Sequence, residues 1–192
     1  MQQRFHGSVL ALLCVLALSA SPVRAADNYA LDAMHSAVTF KISHLGLSWI
    51  HGRFNDVAGS FTIDPDNAAK CAFELTVKSQ SIDTGNTKRD DHLRSPDFFN
   101  VRQFPQLAFK STAVKAVKDG YEVTGDLTLH GVTRSLTFTL VGGRKAEFPK
   151  GVQRTGYSTE LVLKRSDFGM DKMIEAIGDE VHIAISFEGV KK

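Results

Sequence analysis

Residues 121–140 read YEVTGDLTLHGVTRSLTFTL. Tyr121, Val123, Gly125, Leu127 and Leu129 hold every second position, with Glu122, Thr124, Asp126 and Thr128 between them. After the close connection His130-Gly131, Leu136, Phe138 and Leu140 alternate with Ser135, Thr137 and Thr139. A period of two puts apolar residues on one face of a strand and polar residues on the other. The same pattern recurs at Val38, Phe40, Ile42 and His44, and at Cys71, Phe73, Leu75 and Val77. It returns at Tyr157, Thr159, Leu161 and Leu163, and at Val181, Ile183, Ile185 and Phe187. Two runs break phase. Residues 53–63 put Phe54 on the face opposite Val57, Phe61 and Ile63, and residues 107–117 begin with Leu107 and Phe109 inward and slip at Val114. A bulge or sharp bend is expected in each.

About eight strands with one apolar face each must close on themselves, and mostly local connections predict an all-β, eight-stranded antiparallel up-and-down barrel. Asp119-Gly120 suits a tight hairpin, since Gly accepts positive φ. Short helices are expected at 84–93 and 171–176, and Ser95-Pro96-Asp97 reads as an N-cap followed by Pro at the first helical position. In such a barrel, connections 45–52, 79–106, 130–131 and 165–179 share one rim. The turn at 64–67, the Asp119-Gly120 hairpin and the loop 142–156 share the other. The first rim collects the helices together with His44, His51, His92, His130, Arg89, Asp90, Asp91, Arg165 and Asp167. Loops longer than about 12–15 residues are uncommon unless functional or disordered, so this rim reads as a mouth capped by 79–106.

The 192 residues are 43% hydrophobic and 23% charged, ordinary for one globular domain. Arg4, the apolar run VLALLCVLAL at 9–18 and the permissive Val23-Arg24-Ala25 predict a secretory leader, residues 1–25, cleaved after Ala25. A single periplasmic domain, 26–192, would remain. Arg4 and Arg24 lie in the leader and no acid does, so the chain's 23 Lys and Arg fall to 21, matching its 21 Asp and Glu. Zero net charge argues against a nucleic-acid partner. Cys14 leaves with the leader and Cys71 remains, so no intramolecular disulfide can form. No other apolar run approaches about 18 residues, so the domain is not expected to be membrane-integral. No HxH, HExxH or CxxC spacing suggests a metal site.

YALD (29–32), His35-Ser36, FKISHLG (40–46), SIDTG (81–85), RDDHL (89–93), DFF (97–99), Phe104-Pro105, GDLTLHGVT (125–133) and RSDFG (165–169) follow one another in this order. Together they resemble the YceI-like family across essentially the whole domain. The resemblance implies a lipocalin-like barrel, exported to the periplasm, that holds a long isoprenoid or similar lipid in its lumen. A polyprenyl pyrophosphate or an isoprenoid quinone would fit, carried for transport, storage or stress response. It implies no further cofactor and allows a homodimer.

The lumen would then be lined by Phe40 and Ile42, by Phe73, Leu75 and Val77, and by Phe109. Further along the chain, Gly125, Leu127 and Leu129, then Leu136 and Phe138, Leu161 and Leu163, and Ile183 and Ile185 would join them. Without the resemblance, these stripes simply fill a core. Gly125, inward where a side chain is expected, would widen the lumen or mark a bend. Strands of about ten residues tilted at about 40° stand roughly 25 Å tall, so a very long isoprenoid would protrude, fold back or continue into a partner subunit.

At the rim, Arg89 and His92 lie three apart on one helix face. They contact a head group, Arg89 as anion partner and His92 as donor, or else the helix uses Arg–Asp pairing, with Asp90, to pin itself down. Arg165 and Asp167 carry the same ambiguity, with Asp167 capping 169–176 or pairing with Arg89. His44 meets a polar ligand end or is satisfied by backbone. Trp49 is a gate, a transient membrane contact or a lid over the core. Two rival functions stand beside lipid binding. One is an enzyme acting on bound lipid through His92 or His44 with Asp90 or Asp167; the other is a filled barrel used in protein interaction or stress protection.

Overall fold

The computed structural model describes residues 25–192. The leader reading of residues 1–25 falls outside them except for Ala25, as does Cys14. The alternating runs form β1 (Asp27–His44), β2 (Ser48–Phe54), β3 (Val57–Ile63), β4 (Ala72–Lys78) and β5 (Ile82–Asp83). After α1 (Thr87–Arg94), the single α-helix among the described residues, come β6 (Gln106–Val117), β7 (Gly120–Leu129), β8 (Val132–Glu147), β9 (Gln153–Lys164) and β10 (Ile177–Lys191). All pairings are antiparallel, and β1 against β10 closes the sheet. β2 and β3 share one barrel position. Residues 48–54 pair with 38–44 of β1 and residues 60–63 with 27–30 of β1. β5 likewise extends β4 past a 3-10 turn at Ser79–Ser81. The result is a closed eight-strand barrel.

Both phase slips have a backbone cause. The strand of residues 53–63 is broken at Asn55-Asp56, which turns Phe54 and Val57 both inward and buries them. β6 carries a register shift between Ser111 and Ala113, which returns Val114 to the buried face. His130 and Gly131 have φ of 52° and 76° between Leu129 and Val132, the pair of positive values a type I′ hairpin turn requires.

Several local expectations need correcting. β1 begins at Asp27, well before Val38, because its ladder with β10 tolerates a bulge between Asp32 and Ala37. The first rim connection is only 45–47, so Trp49 and His51 are strand residues of β2. In the Asp119-Gly120 hairpin the positive φ (63°) falls on Asp119, and Gly120 already opens β7. Ser95 ends α1 rather than starting a helix. Pro96 pushes it into extended backbone (φ −70°, ψ 170°), and its N–H donates to the His92 carbonyl. Residues 172–176 form turns, not a helix, with Met173 at φ 56°. The helical excursion of that loop is a 3-10 turn at Arg165–Phe168, ended by Gly169 at φ 72°.

The rim assignment agrees with the contacts. The Phe104 ring lies 4.6 Å from the His130 ring, Lys172 Nζ lies 3.8 Å from Asp97, and the Leu45 N–H donates to the Ala176 carbonyl at 2.8 Å. The capping segment and three connections thus gather at one end. The other end is shut by aromatic rings. Tyr29 stacks on Phe61 at 4.9 Å, and Phe61 stacks on Phe73 at 5.8 Å. Tyr157 meets both Phe61 and Phe73 edge-on. Cys71 is buried beside them, its sulfur accepting from the Asp64 N–H. Outside the floor, Asp27 is clamped by Lys191 at 2.6 Å and Lys145 at 2.8 Å. The seam between β8 and β9 is paired from Val141–Ser158 down to Glu147–Gln153. Toward the rim no further pairing joins these strands among the described residues. No helix among them is long and apolar enough to cross a membrane.

Two predictions follow from this packing. At Gly125 an added Cβ would lie 2.5 Å from the Lys110 carbonyl oxygen and 2.7 Å from the Ser111 Cα, because the β6 bulge presses its backbone onto β7. Gly125→Ala is therefore expected to lower the unfolding free energy by about 1–3 kcal/mol, read from urea midpoints; a variant as stable as the parent would contradict this close approach. The second concerns acid. Hydrogen bonds from Lys145, then Lys191, lower the Asp27 pKa to about 2 from 3.8. A depressed folded-state pKa gives stability that is complete above the unfolded value and lost as pH falls toward the folded one. The urea midpoint should drop between pH 4 and pH 2, and Asp27→Asn should make that drop shallower; an equally steep drop would remove Asp27 from the cause.

Candidate functional site

Alternation along eight closed strands leaves the apolar faces pointing at a common axis. Between the aromatic floor and the capped rim they enclose a cavity of about 450 Å³. That volume lies within the roughly 300–1,000 Å³ of small-molecule sites. Phe40, Ile42, Phe73, Leu75, Val77 and Phe109 line it, from β1, β4 and β6. Leu127, Leu129, Leu136, Phe138, Leu161, Leu163, Ile183 and Ile185 continue the lining through β7 to β10. Gly125 does not contribute; its inward side is covered by Phe109 and the β6 backbone. A filled barrel requires a packed lumen, and this one is open through its middle.

Other lining residues were not singled out by the strand pattern. Phe54 joins through the bend after β2, Ile50 through the recovered β2, and Leu93, Phe98 and Phe99 through the cap. The pair Phe98-Phe99 beside a polar helix was the available signal. Its function depends on the cap folding back, which places Phe99 edge-on to Phe54 at 5.7 Å.

The rim residues separate into those that reach the cavity and those that hold the rim together. Asn86 caps α1 by accepting from the Arg89 N–H at 3.0 Å. Asp90 is buried and accepts from both the N–H (2.9 Å) and the hydroxyl (2.5 Å) of Thr84. Arg89 donates from Nε to Thr84 Oγ1 at 2.7 Å and from Nη2 to the Thr84 carbonyl at 2.8 Å. The helix is thus pinned through Thr84, not by an Arg89–Asp90 pair. Arg89 and His92 line the cavity; Asp90 does not. His92 Nε2 lies 3.0 Å from Asp97 and its ring stands edge-on to Phe98. That hydrogen bond, with Lys172 nearby, lowers the Asp97 pKa.

Arg165 is almost fully buried and donates to three backbone carbonyls: Nε to Gly178, Nη1 to Met170 and Nη2 to Ile177. Burial lowers its pKa, against the pull of Asp179 and Asp171. It borders the cavity, but its donors are committed to the loop before β10. Asp167 neither lines the cavity nor pairs with Arg89; its carbonyl accepts from Arg134. The carboxylate that meets this turn is Asp179, which accepts from the N–H and hydroxyl of Ser166.

His44 lines the cavity at the end of β1. Trp49 faces outward, 5.0 Å edge-on from the His182 ring, with Lys41 Nζ 4.9 Å from its centroid. The rim histidines do not converge on a metal: His51 is exposed on β2 and His130 Nδ1 meets the Phe168 carbonyl at 3.1 Å. Among the described residues Asp32, His35 and Glu188 come close enough to hold an ion. Arg154 already supplies the cation there, 2.5 Å from Asp32 and 3.5 Å from Glu188.

Comparison with known proteins fits this geometry. A YceI-like domain model matches residues 29–189. Protein YceI of Escherichia coli O6:H1 is 41% identical over 181 residues, covering 92% of this chain and 93% of the relative. The crystal structure of Burkholderia cenocepacia BcnA matches with a TM-score of 0.75 at 24% identity, over 82% of this chain and 98% of that one. A polyisoprenoid binding domain from Saccharophagus degradans, implicated in plant cell wall breakdown, matches with a TM-score of 0.66 at 19% identity, over 85% and 98%. At those identities the two structures speak to the fold, and it is the family model and the E. coli relative that decide membership: the chain belongs to the YceI-like domain family.

Proposed function

We propose that this protein is an exported, periplasmic lipid-binding barrel that holds an isoprenoid chain in its lumen and serves as carrier or store. The single observation that carries this reading is the apolar cavity of about 450 Å³, continuous from the rim to the aromatic floor. The structurally similar domain described as polyisoprenoid binding supports it. Burying about ten methylene equivalents at about 0.8 kcal/mol each gives a gross gain near 8 kcal/mol. With small ordering costs, that corresponds to roughly micromolar affinity without special polar chemistry. A chain longer than the lumen leaves at the rim, toward solvent or a partner subunit. Exchange with a membrane would occur there too, where Leu45, Leu47, Met173 and Ile174 are exposed.

The rim pairs of His92 or His44 with Asp90 or Asp167 that an enzyme would use are not formed. Asp90 is consumed by Thr84, Asp167 is off the cavity, and the carboxylate beside His92 is the half-exposed Asp97.

Organic extraction of purified protein followed by mass spectrometry tests the reading. An isoprenoid in near one-to-one amount is expected. Leu127→Trp, which fills the lumen from β7, should lower that occupancy at least about tenfold while the variant stays folded, since lost cavity removes most of the apolar burial. Equal lipid content in a folded Leu127→Trp variant, or no lipid in the parent after exposure to isoprenoids, would refute it.

A further inference from the structure

The outer wall of the barrel is not uniform. Over much of it lysines meet acids across neighbouring strands: Lys110 with Glu74, Lys115 with Glu122 and Lys78 with Asp56. On the stretch built from β2, β1, β10 and β9 they do not. Phe40, Ile42, Ile50, Phe54 and Ile183 line the lumen, so alternation turns Lys41, His51, Arg53 and His182 outward. Lys41 stands directly opposite His51 on one side and His182 on the other, and Arg53 follows His51 two residues along β2. Directly opposed side chains start about 4.5–5.5 Å apart and diagonal ones about 7–8 Å. All four can therefore reach one small group.

None of the four closes an ion pair or a side-chain hydrogen bond with any described residue. Lys41 and His182 touch the Trp49 ring. Arg53 faces Asp83 across the β2–β5 pair, but that carboxylate accepts from the Gly85 N–H at 2.9 Å and from Asn55 Nδ2 at 3.1 Å. In the row beside them Thr39 and Ala184 are small and opposed. They leave an open groove of about 730 Å³ on the face of these strands away from the lumen, flanked by Asp83 and Gly85 on one side and by Glu160 and Val162 on the other.

The donors suit a tetrahedral oxyanion. A guanidinium forks onto two oxygens, an ammonium supplies a point charge, and each imidazole can donate an N–H. They stand on paired strands, so their spacing is fixed before any ligand arrives. The flanks set the size of the anion. A cationic centre between the carboxylates of Asp83 and Glu160 attracts a compact anion and repels an extended anionic surface.

We infer that this outer groove binds the phosphate group of a small soluble molecule, held by Lys41, His51, Arg53 and His182. The site is separate from the lumen and independent of the lipid reading.

Trp49 is the only tryptophan in the chain, and its contacts with Lys41 and His182 make its fluorescence a reporter of the groove. The test titrates the purified protein with inorganic phosphate, with glycerol phosphate and with phosphatidylglycerol vesicles, in about 0.15 M sodium chloride so that non-specific attraction is screened. Calorimetry repeats each titration. Saturable binding of a soluble phosphate is expected. Arg53→Gln should weaken it about tenfold, the loss of a charge-assisted contact, and Arg53→Lys should recover part of the loss by keeping the charge without the fork. Thermal unfolding would verify that both variants fold. Equal affinity in folded Arg53→Gln would overturn the site, as would no binding of either soluble phosphate. Binding to the vesicles alone, abolished by Arg53→Gln, would overturn it in favour of an anionic membrane surface.

Discussion

Closure of the sheet through β1 and β10 is the constraint on which everything else in this molecule depends. The two strands pair from Tyr29–Lys191 to His44–Ile177, across the full height of the barrel. Closure removes the exposed edges an open sheet would carry, and it forces every second side chain of eight strands toward one axis. An eight-stranded barrel is just wide enough for its own side chains or for one small ligand. Here both solutions occur along one axis. Large rings fill the floor, while Leu, Ile and Val in the middle leave the cavity. The wet outer face is held by small polar pairs such as Thr124–Thr137 and Thr128–Thr133, and by ion pairs such as Lys110–Glu74.

The charged residues at the rim serve mainly to hold long connections in place. Asp90, Thr84 and Arg89 form one knot that fixes the cap, and Arg165 with Asp179 forms a second that fixes the loop before β10. Each replaces backbone partners that irregular segments lack. A conspicuous polar cluster is therefore compatible with a site whose recognition is almost entirely apolar. His44, His92 and one side of Arg89 remain the polar groups presented at the entrance.

The period of two made the barrel legible, since it survives in β4, β7, β8 and β10 with little interruption. The phase slips at Phe54 and Val114 correctly marked a bend and a bulge. Legibility failed where long-range contacts override local signals. The first part of β1 has no clean alternation because residues between Asp32 and Ala37 bulge out of the ladder. β2 looked like a loop because Gly46 precedes it and Gly52 interrupts it. Ser95-Pro96-Asp97 has the composition of a helix start, but Pro96 acts backward and ends the helix before it. Gly125 was inward by phase, yet the backbone of β6 occupies the space its missing side chain seemed to offer. The partners of Asp90 and Arg165 are set by loops meeting at the rim, which no spacing encodes. Thr159 was visible as the one aliphatic hydroxyl in an inward stripe of Tyr157, Leu161 and Leu163, but its lack of a hydrogen-bond partner is a property of the folded lumen.

The central claim is that the interior of this barrel, rather than its rim or outer face, is the working surface for lipid. Methyl-labelled protein titrated with an isoprenoid quinone tests it most directly, through nuclear Overhauser contacts between ligand and protein. Contacts should appear to the methyls of Leu136, Leu161, Ile183 and Ile185, which line the cavity on three adjoining strands. Contacts confined to the exposed Leu47 and Val162, with the interior methyls silent, would contradict it.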